Sequence, residues 1–127
     1  MFKAIHHIAI ICSDYQVSKD FYVNKLGLEI IREVYRDNRN SYKLDLAIGS
    51  TYVIELFSFP NAPVRPSYPE AQGLRHLAFA VDDIEQVVEN LKERSIEVES
   101  IRVDPNTNKK FTFFSDPDGL PLEIYEK

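Results

Sequence analysis

Two histidines and two glutamates stand out, because they occupy matching positions in a sequence that repeats itself. His7 lies in IHHIAIICSD and His76 lies in LRHLAFAVDD, 69 positions later (76 − 7). Glu55 lies in YVIELF and Glu123 lies in LPLEIY, 68 positions later (123 − 55). One shift accounts for both matches to within one residue, and chance similarity would not usually preserve the separation of two short motifs. The sequence therefore predicts two related modules, each with one histidine and one glutamate.

These four residues have the chemistry of metal ligands. Neutral imidazole nitrogen and carboxylate oxygen are good ligands for zinc, nickel, cobalt, manganese and iron(II). Two histidines and two carboxylates leave a divalent ion formally neutral, and a coordination number of five or six leaves room for water or substrate. Such an open site is typical of catalysis and not of structural metal binding. The sequence predicts one divalent ion held by His7, Glu55, His76 and Glu123.

Strand periodicity indicates where these side chains point. Side chains alternate along a strand, so His7 shares a face with Ala9, and Glu55 stands opposite Ile54 and Leu56. A glutamate in such a strand is costly to bury unless it is paired or coordinated.

His6 is the natural rival to His7. The repeat favours His7, because His76 is preceded by Arg75 and not by a second histidine. We therefore expect His6 on the helix-facing or edge side of its strand.

Each module has the pattern of a β-α-β-β-β unit. In the first module a strand is predicted over 4–12, then a helix that begins at Asp14 and ends near Gly27, because Asp is a good N-cap and Gly a common C-terminal stop. In the second module Asp83 and Gln86 form a capping-box pattern before a helix over 84–94. The remaining predicted strands are 28–35, 41–48 and 51–58 in the first module, and 97–103, 110–115 and 120–126 in the second.

The whole chain, residues 1–127, is predicted to be a single α+β domain. The first module covers approximately 1–59 and the second 74–127. The intervening linker, 60–73, holds four of the seven prolines and has no clear periodicity.

Composition excludes several classes of protein. The formal net charge is −5 and the sequence pI is near 5.2, which argues against nucleic-acid binding. No stretch approaches the roughly 20 apolar residues of a membrane span. The apolar run at the N-terminus is broken by two histidines and lacks a cleavage site, so it is not a signal peptide. The single cysteine, Cys12, cannot form an internal disulfide, and a reducing cytoplasm fits best.

The motifs quoted above, with FYVNKLGLEI and FSDPDGLPLEIYE, resemble those of the vicinal oxygen chelate (VOC) superfamily, which includes glyoxalase I (lactoylglutathione lyase). The resemblance implies paired βαβββ modules that form a glyoxalase/bleomycin-resistance-type partial barrel. It implies a homodimer, and it places the family's four metal-ligand positions on His7, Glu55, His76 and Glu123. Zinc or nickel is the expected ion, with cobalt, manganese or iron as alternatives.

The implied activity is that of a metal-dependent lyase or isomerase of the glyoxalase I type. Two vicinal oxygens of a small-molecule substrate would bind the metal, which stabilises the enediolate as a Lewis acid. Glu123 is the expected catalytic base, and Glu55 its partner on the opposite face of the substrate. Fosfomycin-resistance enzymes and extradiol dioxygenases of this superfamily use two histidines and one glutamate, so a glutamate at position 55 favours glyoxalase-type or epimerase-type chemistry.

The chain departs from glyoxalase I at two glutathione-binding positions, where it has Ile11 and Phe59 in place of arginine and asparagine. Glutathione is therefore not assured as the thiol carrier. Alternative functions are an acyl-thioester epimerase and a non-catalytic, metal-free binding module. Four cations are candidate contacts for an anionic substrate, although each is also compatible with an ordinary surface role: Arg65, Arg75, Lys109 and Lys110.

Overall fold

The computed structural model describes residues 1–127, which divide into two compact units, 1–64 and 65–127. Each unit contains one four-stranded mixed sheet and one helical segment. The chain therefore has the predicted α+β fold. The boundary between the units falls within the predicted linker, where residues 60–73 form neither helix nor strand.

The first unit begins with a strand and a short helix. These and the elements that follow are β1 (Ile8–Cys12), α1 (Tyr15–Lys19) continued by a π-helical segment (Asp20–Lys25), β2 (Glu29–Arg36), a 3-10 turn (Asp37–Arg39), β3 (Ser41–Ile48) and β4 (Thr51–Ser58). The strand order is β1-β4-β3-β2, with β1 parallel to β4 and the other neighbours antiparallel.

Local sequence explains where this helix begins and ends. The Asp14 side chain accepts a hydrogen bond from the Val17 amide at 3.2 Å, which satisfies a donor of the first turn. After the π-helical segment, Gly27 takes a φ of +79°, a conformation that glycine reaches without steric cost. The chain can therefore leave the helix and enter β2 two residues later.

The second unit repeats the first. Its elements are β5 (Leu77–Val81), α2 (Ile84–Glu93), β6 (Arg102–Val103), β7 (Lys110–Ser115) and β8 (Pro121–Glu126). The strand order is β5-β8-β7-β6. Asp83 caps α2 by accepting from the Gln86 amide at 3.0 Å, as predicted. The strand predicted over 97–103 is much shorter, because only Arg102 and Val103 pair with β7 in a ladder.

Strand register shows how close the repeat is. Ala9 pairs with Glu55 between β1 and β4, and Ala78 pairs with Glu123 between β5 and β8. In each unit one sheet face is buried against the helical segment, and Ile54 and Leu122 have no exposed surface. Because side chains alternate, both glutamates lie on the face opposite the core.

No helix of the chain combines the length and the apolar character needed to cross a membrane.

Candidate metal centre

In the second unit, the predicted histidine and glutamate are in direct contact. The Nε2 atom of His76 lies 2.9 Å from Oε2 of Glu123. The Glu123 side chain is 12% exposed, and the His76 ring packs edge-on against Phe113, with 5.1 Å between ring centroids. Phe113 is the direct cross-strand neighbour of Glu123. This carboxylate is therefore largely shielded from solvent, and the His76 imidazole is its direct polar contact.

In the first unit, the equivalent pair is wider and has more partners. The Nε2 atom of His7 lies 3.7 Å from Oε2 of Glu55. The Tyr52 hydroxyl donates to the same oxygen at 2.8 Å, and Nζ of Lys43 lies 3.5 Å from it. Glu55 is thus restrained by a phenol and an ammonium group as well as by its histidine.

A buried aspartate organises these partners. Asp45 lies directly opposite Glu55 and has no exposed surface. Lys43 Nζ lies 2.9 Å from its Oδ1, and the Tyr52 hydroxyl is also 2.9 Å from Oδ1. Burial alone would raise the pKa of Asp45, but the bonds from Lys43, Tyr52 and Arg32 outweigh it and hold the pKa below its usual range. Burial, followed by the bonds to Glu55 and Asp45, raises the pKa of Tyr52.

Of the two places expected for His6, the helix-facing side is not where it lies; it is exposed, just before β1, the edge strand of its sheet. Its Nδ1 atom lies 2.8 Å from Nδ1 of His7, and its ring centroid lies 5.3 Å from that of Tyr52. The reason is that β1 begins at Ile8, so the alternation of a strand does not extend back to His6. His6 is therefore a neighbour of the His7–Glu55 pair instead of a residue on the opposite side.

The two units differ in what surrounds each glutamate. Lys43 and Asp45 of β3 correspond in register to Phe111 and Phe113 of β7. One glutamate consequently stands in a charged, hydrogen-bonded setting, whereas the other stands among aromatic rings. The sequence did not predict the Lys43–Asp45–Tyr52 network, because a regular hairpin from Ile48 and Thr51 would pair Asp45 with Ile54, and the bulge between Leu46 and Ala47 moves Asp45 opposite Glu55.

Within each unit, the histidine and the glutamate supply donor atoms that a divalent ion accepts. Metal–nitrogen and metal–oxygen bonds of about 2.0–2.2 Å separate adjacent ligand atoms by about 3 Å at right angles. The 2.9 Å of His76–Glu123 matches this separation, and the 3.7 Å of His7–Glu55 is wider. No group of three or more histidine, cysteine, aspartate or glutamate side chains is arranged to hold a metal ion. Each unit thus contributes one nitrogen and one oxygen donor.

The four cations singled out as anion contacts are all engaged by the chain. Arg65 donates to Ser67 and to the Leu74 carbonyl, and Arg75 contacts Tyr68 and Glu70. Lys109 donates to the Lys127 carbonyl, and Lys110 pairs with Glu85.

Comparison with known proteins places the chain in a family. Residues 4–124 match the model of the Glyoxalase/Bleomycin resistance protein/Dioxygenase superfamily, so the chain belongs to that superfamily. It is 61% identical over 127 residues to the protein YwkD of Bacillus subtilis, covering 100% of this chain and 99% of that one. A solved structure of a glyoxalase family protein from Enterococcus faecalis is 58% identical, with a TM-score of 0.91 and 98% of each chain covered. The metallothiol transferase FosB of Staphylococcus epidermidis is 27% identical over 126 residues, covering 96% of this chain and 80% of that one.

Proposed function

We propose that this protein is a metal-dependent lyase or isomerase of the glyoxalase I type, which moves a proton next to a carbonyl group. His7, Glu55, His76 and Glu123 would together hold one divalent ion, with zinc or nickel favoured over cobalt, manganese or iron. The observation that carries the proposal is the repeated register, which gives each unit one histidine–glutamate pair on the open face of its sheet. Superfamily membership is consistent with this donor set.

The surroundings of the two glutamates favour Glu123 as the base. A bound divalent ion would act as a Lewis acid that polarises the substrate carbonyl. Glu123 has no ammonium or phenol donor on its carboxylate, so an oxygen remains available to take a carbon-bound proton. The adjacent Phe113 shields that carboxylate from part of the solvent. A general base must lie within hydrogen-bond reach of the proton that it takes.

Glu55 has a different part in this proposal. The hydroxyl of Tyr52 donates to its carboxylate and the ammonium of Lys43 lies beside it, and these contacts fix its orientation. In this proposal the Glu55 carboxylate mainly binds the metal ion. Its return of a proton to the substrate is secondary. Glu55 is therefore the proposed partner and Glu123 the proposed proton carrier.

Two alternatives use the same residues. An acyl-thioester epimerase would need the same ion and the same two carboxylates. The 27% identity to FosB favours a second candidate, a metallothiol transferase, for which residues of this same set would hold the ion. A non-catalytic binding module has no evident use for a carboxylate beside a histidine in each unit.

A substrate screen tests the proposed activity. Protein reconstituted separately with nickel, zinc, cobalt or manganese is assayed with methylglyoxal and several thiols, with an acyl-thioester, and with fosfomycin plus thiol. The proposal predicts turnover of a hemithioacetal or a related α-oxo compound. Turnover of fosfomycin alone would replace it with the transferase, and no turnover with any loaded metal would favour the binding module.

We further propose that the protein is a homodimer. Along β2, apolar side chains are exposed on both faces of an edge strand: Ile30, Ile31, Val34 and Tyr35. An exposed apolar edge strand is a site for association with another chain. Sedimentation should give a dimer at micromolar concentration, and a monomer that carries its full complement of metal would refute the assignment.

A further inference from the structure

A cation that the sequence did not single out lies over aromatic rings in the first unit. The guanidinium carbon of Arg36 is 4.9 Å from the ring centroid of Phe57 and 5.6 Å from that of Phe59. The guanidinium carbon of Arg39 is 5.5 Å from the Phe59 centroid. Two arginines therefore converge on one aromatic pair, and the Phe57 and Phe59 rings stack 5.5 Å apart.

These arginines lack a counter-charge. Neither forms an ion pair with a carboxylate of the chain. Arginine has five N–H donors, and the hydrogen bond that Arg36 makes runs from Nη2 to the buried Ser41 hydroxyl at 3.0 Å. Its Nε atom is shielded from solvent and has no partner. A half-buried cation with unmet donors is costly unless something neutralises it.

The guanidinium of Arg36 lies on the same sheet face as Glu55. Phe57 is two residues from Glu55 in β4, so the two side chains point the same way, with about 7 Å between their Cα atoms. Arg36 is also the cross-strand neighbour of Ser41. The side chain of Ser41 lies on the same face of β3 as those of Lys43 and Asp45, because residues two apart in a strand share a face. Arg32 and Lys43 are the other cations of this face, but both are paired with Asp45. They are therefore less available to bind a ligand.

We propose that Arg36, assisted by Arg39, binds a carboxylate of the substrate at the end of the sheet face that carries Glu55. This rests on the proposed function for the link to Glu55, and it narrows the substrate class to α-oxo compounds that carry a carboxylate away from the reacting carbons. The planar guanidinium matches a carboxylate through two parallel N–H donors, and most of the N–H donors of Arg36 remain unused, because its one hydrogen bond goes from Nη2 to Ser41. The Phe57 and Phe59 rings hold the guanidinium in place by cation–π contact.

Arg102 provides an internal comparison. Its guanidinium carbon also lies over aromatic rings, 5.0 Å from the Phe111 centroid. However, its Nη2 atom is 2.9 Å from Oε2 of Glu99, so its charge already has a counter-charge within the chain. Both Arg36 and Arg102 stack on aromatic rings, but of these two only Arg36 lacks a carboxylate partner.

The test is a binding titration on metal-free protein. Amide shifts in ¹⁵N-labelled protein are followed as sodium phenylacetate is added, with phenylacetamide as the uncharged matched probe. We expect saturable shifts at Ser41, Phe57 and Phe59 with phenylacetate and none with phenylacetamide. Because no metal and no turnover are involved, the result is independent of whether the proposed activity is correct.

Substitutions assign the binding to the guanidinium. Arg36→Met keeps an apolar side chain over Phe57 and should weaken phenylacetate binding about tenfold to hundredfold, the effect of losing a charge-assisted hydrogen bond. Arg36→Lys, which keeps the charge without the planar donor pair, should bind with intermediate affinity. Arg39→Met, at an exposed position, should weaken binding a few-fold by the loss of one of two cations. Arg102→Met is the control and should bind as the wild type does.

Two results would overturn the proposal. One is unchanged phenylacetate affinity in a folded Arg36→Met variant, with folding checked by thermal unfolding. The other is equal affinity for phenylacetate and phenylacetamide, which would mean that the rings and not the charge bind the probe. If Arg36→Met does not fold, equal affinity in Arg36→Lys, Arg39→Met and the wild type would overturn it as well.

Discussion

The Nε2 atom of His76 lies 2.9 Å from Oε2 of Glu123, whereas the equivalent atoms of His7 and Glu55 lie 3.7 Å apart. The closer pair packs against an aromatic ring, and the wider pair shares its carboxylate with Tyr52 and Lys43. The two modules of one repeat have therefore diverged in the surroundings of the same residue type. From this difference we infer that the glutamates have different roles.

The first prediction concerns these glutamates. Glu123→Gln should lower kcat about 10²–10⁴-fold on the substrate found by the screen, because an amide has no useful proton affinity at neutral pH. Glu55→Gln should be milder, since Tyr52 and Lys43 already occupy its carboxylate. Steady-state kinetics on variants with measured metal content separates loss of the base from loss of the ion.

The Glu55→Gln, Glu123→Gln double variant provides the check on this assignment. Exchange of the substrate's carbon-bound proton with deuterated solvent should cease in it. Exchange and turnover at wild-type rates would mean that neither carboxylate moves the proton.

The second prediction concerns His6 and His7. His7→Ala removes a proposed ligand and should abolish tight metal binding. His6→Ala removes a ring whose Nδ1 atom lies 2.8 Å from Nδ1 of His7, so the ligand ring loses a partner that fixes its orientation. Loss of such a partner typically weakens metal affinity about 10–100-fold. Competition with a chromophoric chelator measures both affinities, and a larger loss in His6→Ala than in His7→Ala would reverse the assignment.

The third prediction concerns Asp45, whose carboxylate is fully buried among Lys43, Tyr52 and Arg32. Asp45→Asn should lower the free energy of unfolding by about 1.5–3 kcal/mol, because hydrogen bonds to a charged group are lost in a buried place. Urea denaturation measures the change. Asp82→Asn, at an exposed position, is the matched control and should fall within about 0.5 kcal/mol of the wild type. Equal effects in the two variants would show that the network does not stabilise the fold.

The fourth prediction concerns acid stability. Hydrogen bonds from Lys19 and Tyr15 lower the pKa of Glu33 below its ordinary value of 4.5. A lowered folded-state pKa means that the stabilisation is complete above the unfolded pKa and is lost as the pH falls through the folded pKa. The side chain is 36% exposed, so the contribution should be small, about 0.2–1 kcal/mol.

A pH series of denaturation curves checks this. Glu33→Gln should be less stable than the wild type at pH 7, and the difference should shrink as the pH falls below 4.5. Glu97→Gln, at an exposed glutamate, should show no such trend. A Glu33→Gln difference that stays constant down to pH 2 would contradict the linkage.

Sequence alone predicted the repeat, the helix caps and the sheet faces, because each depends on short-range patterns. His7 and His76 are 69 positions apart, and Glu55 and Glu123 are 68 positions apart. The segments that contain them form equivalent strand pairings in the two units. Alternation also placed Ile54 in the core and Glu55 on the other face.

What sequence did not predict depends on where strands start and on which strands pair. The contact between His6 and His7 was not predicted, because β1 begins two residues after His6 and strand alternation does not apply there. The link between Asp45 and Glu55 requires the β3–β4 register, and the position of Arg36 over Phe57 requires side chains from strands that are not neighbours in the sheet. These are long-range contacts, which a periodic pattern does not encode.

Metal stoichiometry tests the central claim most directly. Elemental analysis is performed on protein reconstituted with nickel or zinc and then desalted, for the wild type and for the His7→Ala, His76→Ala double variant, with His6→Ala as a control. We predict about one divalent ion per chain in the wild type, a partial complement in His6→Ala because its affinity is about 10–100-fold weaker, and none in the double variant. An ion retained by the double variant, or no ion bound by the wild type with either metal, would contradict the account.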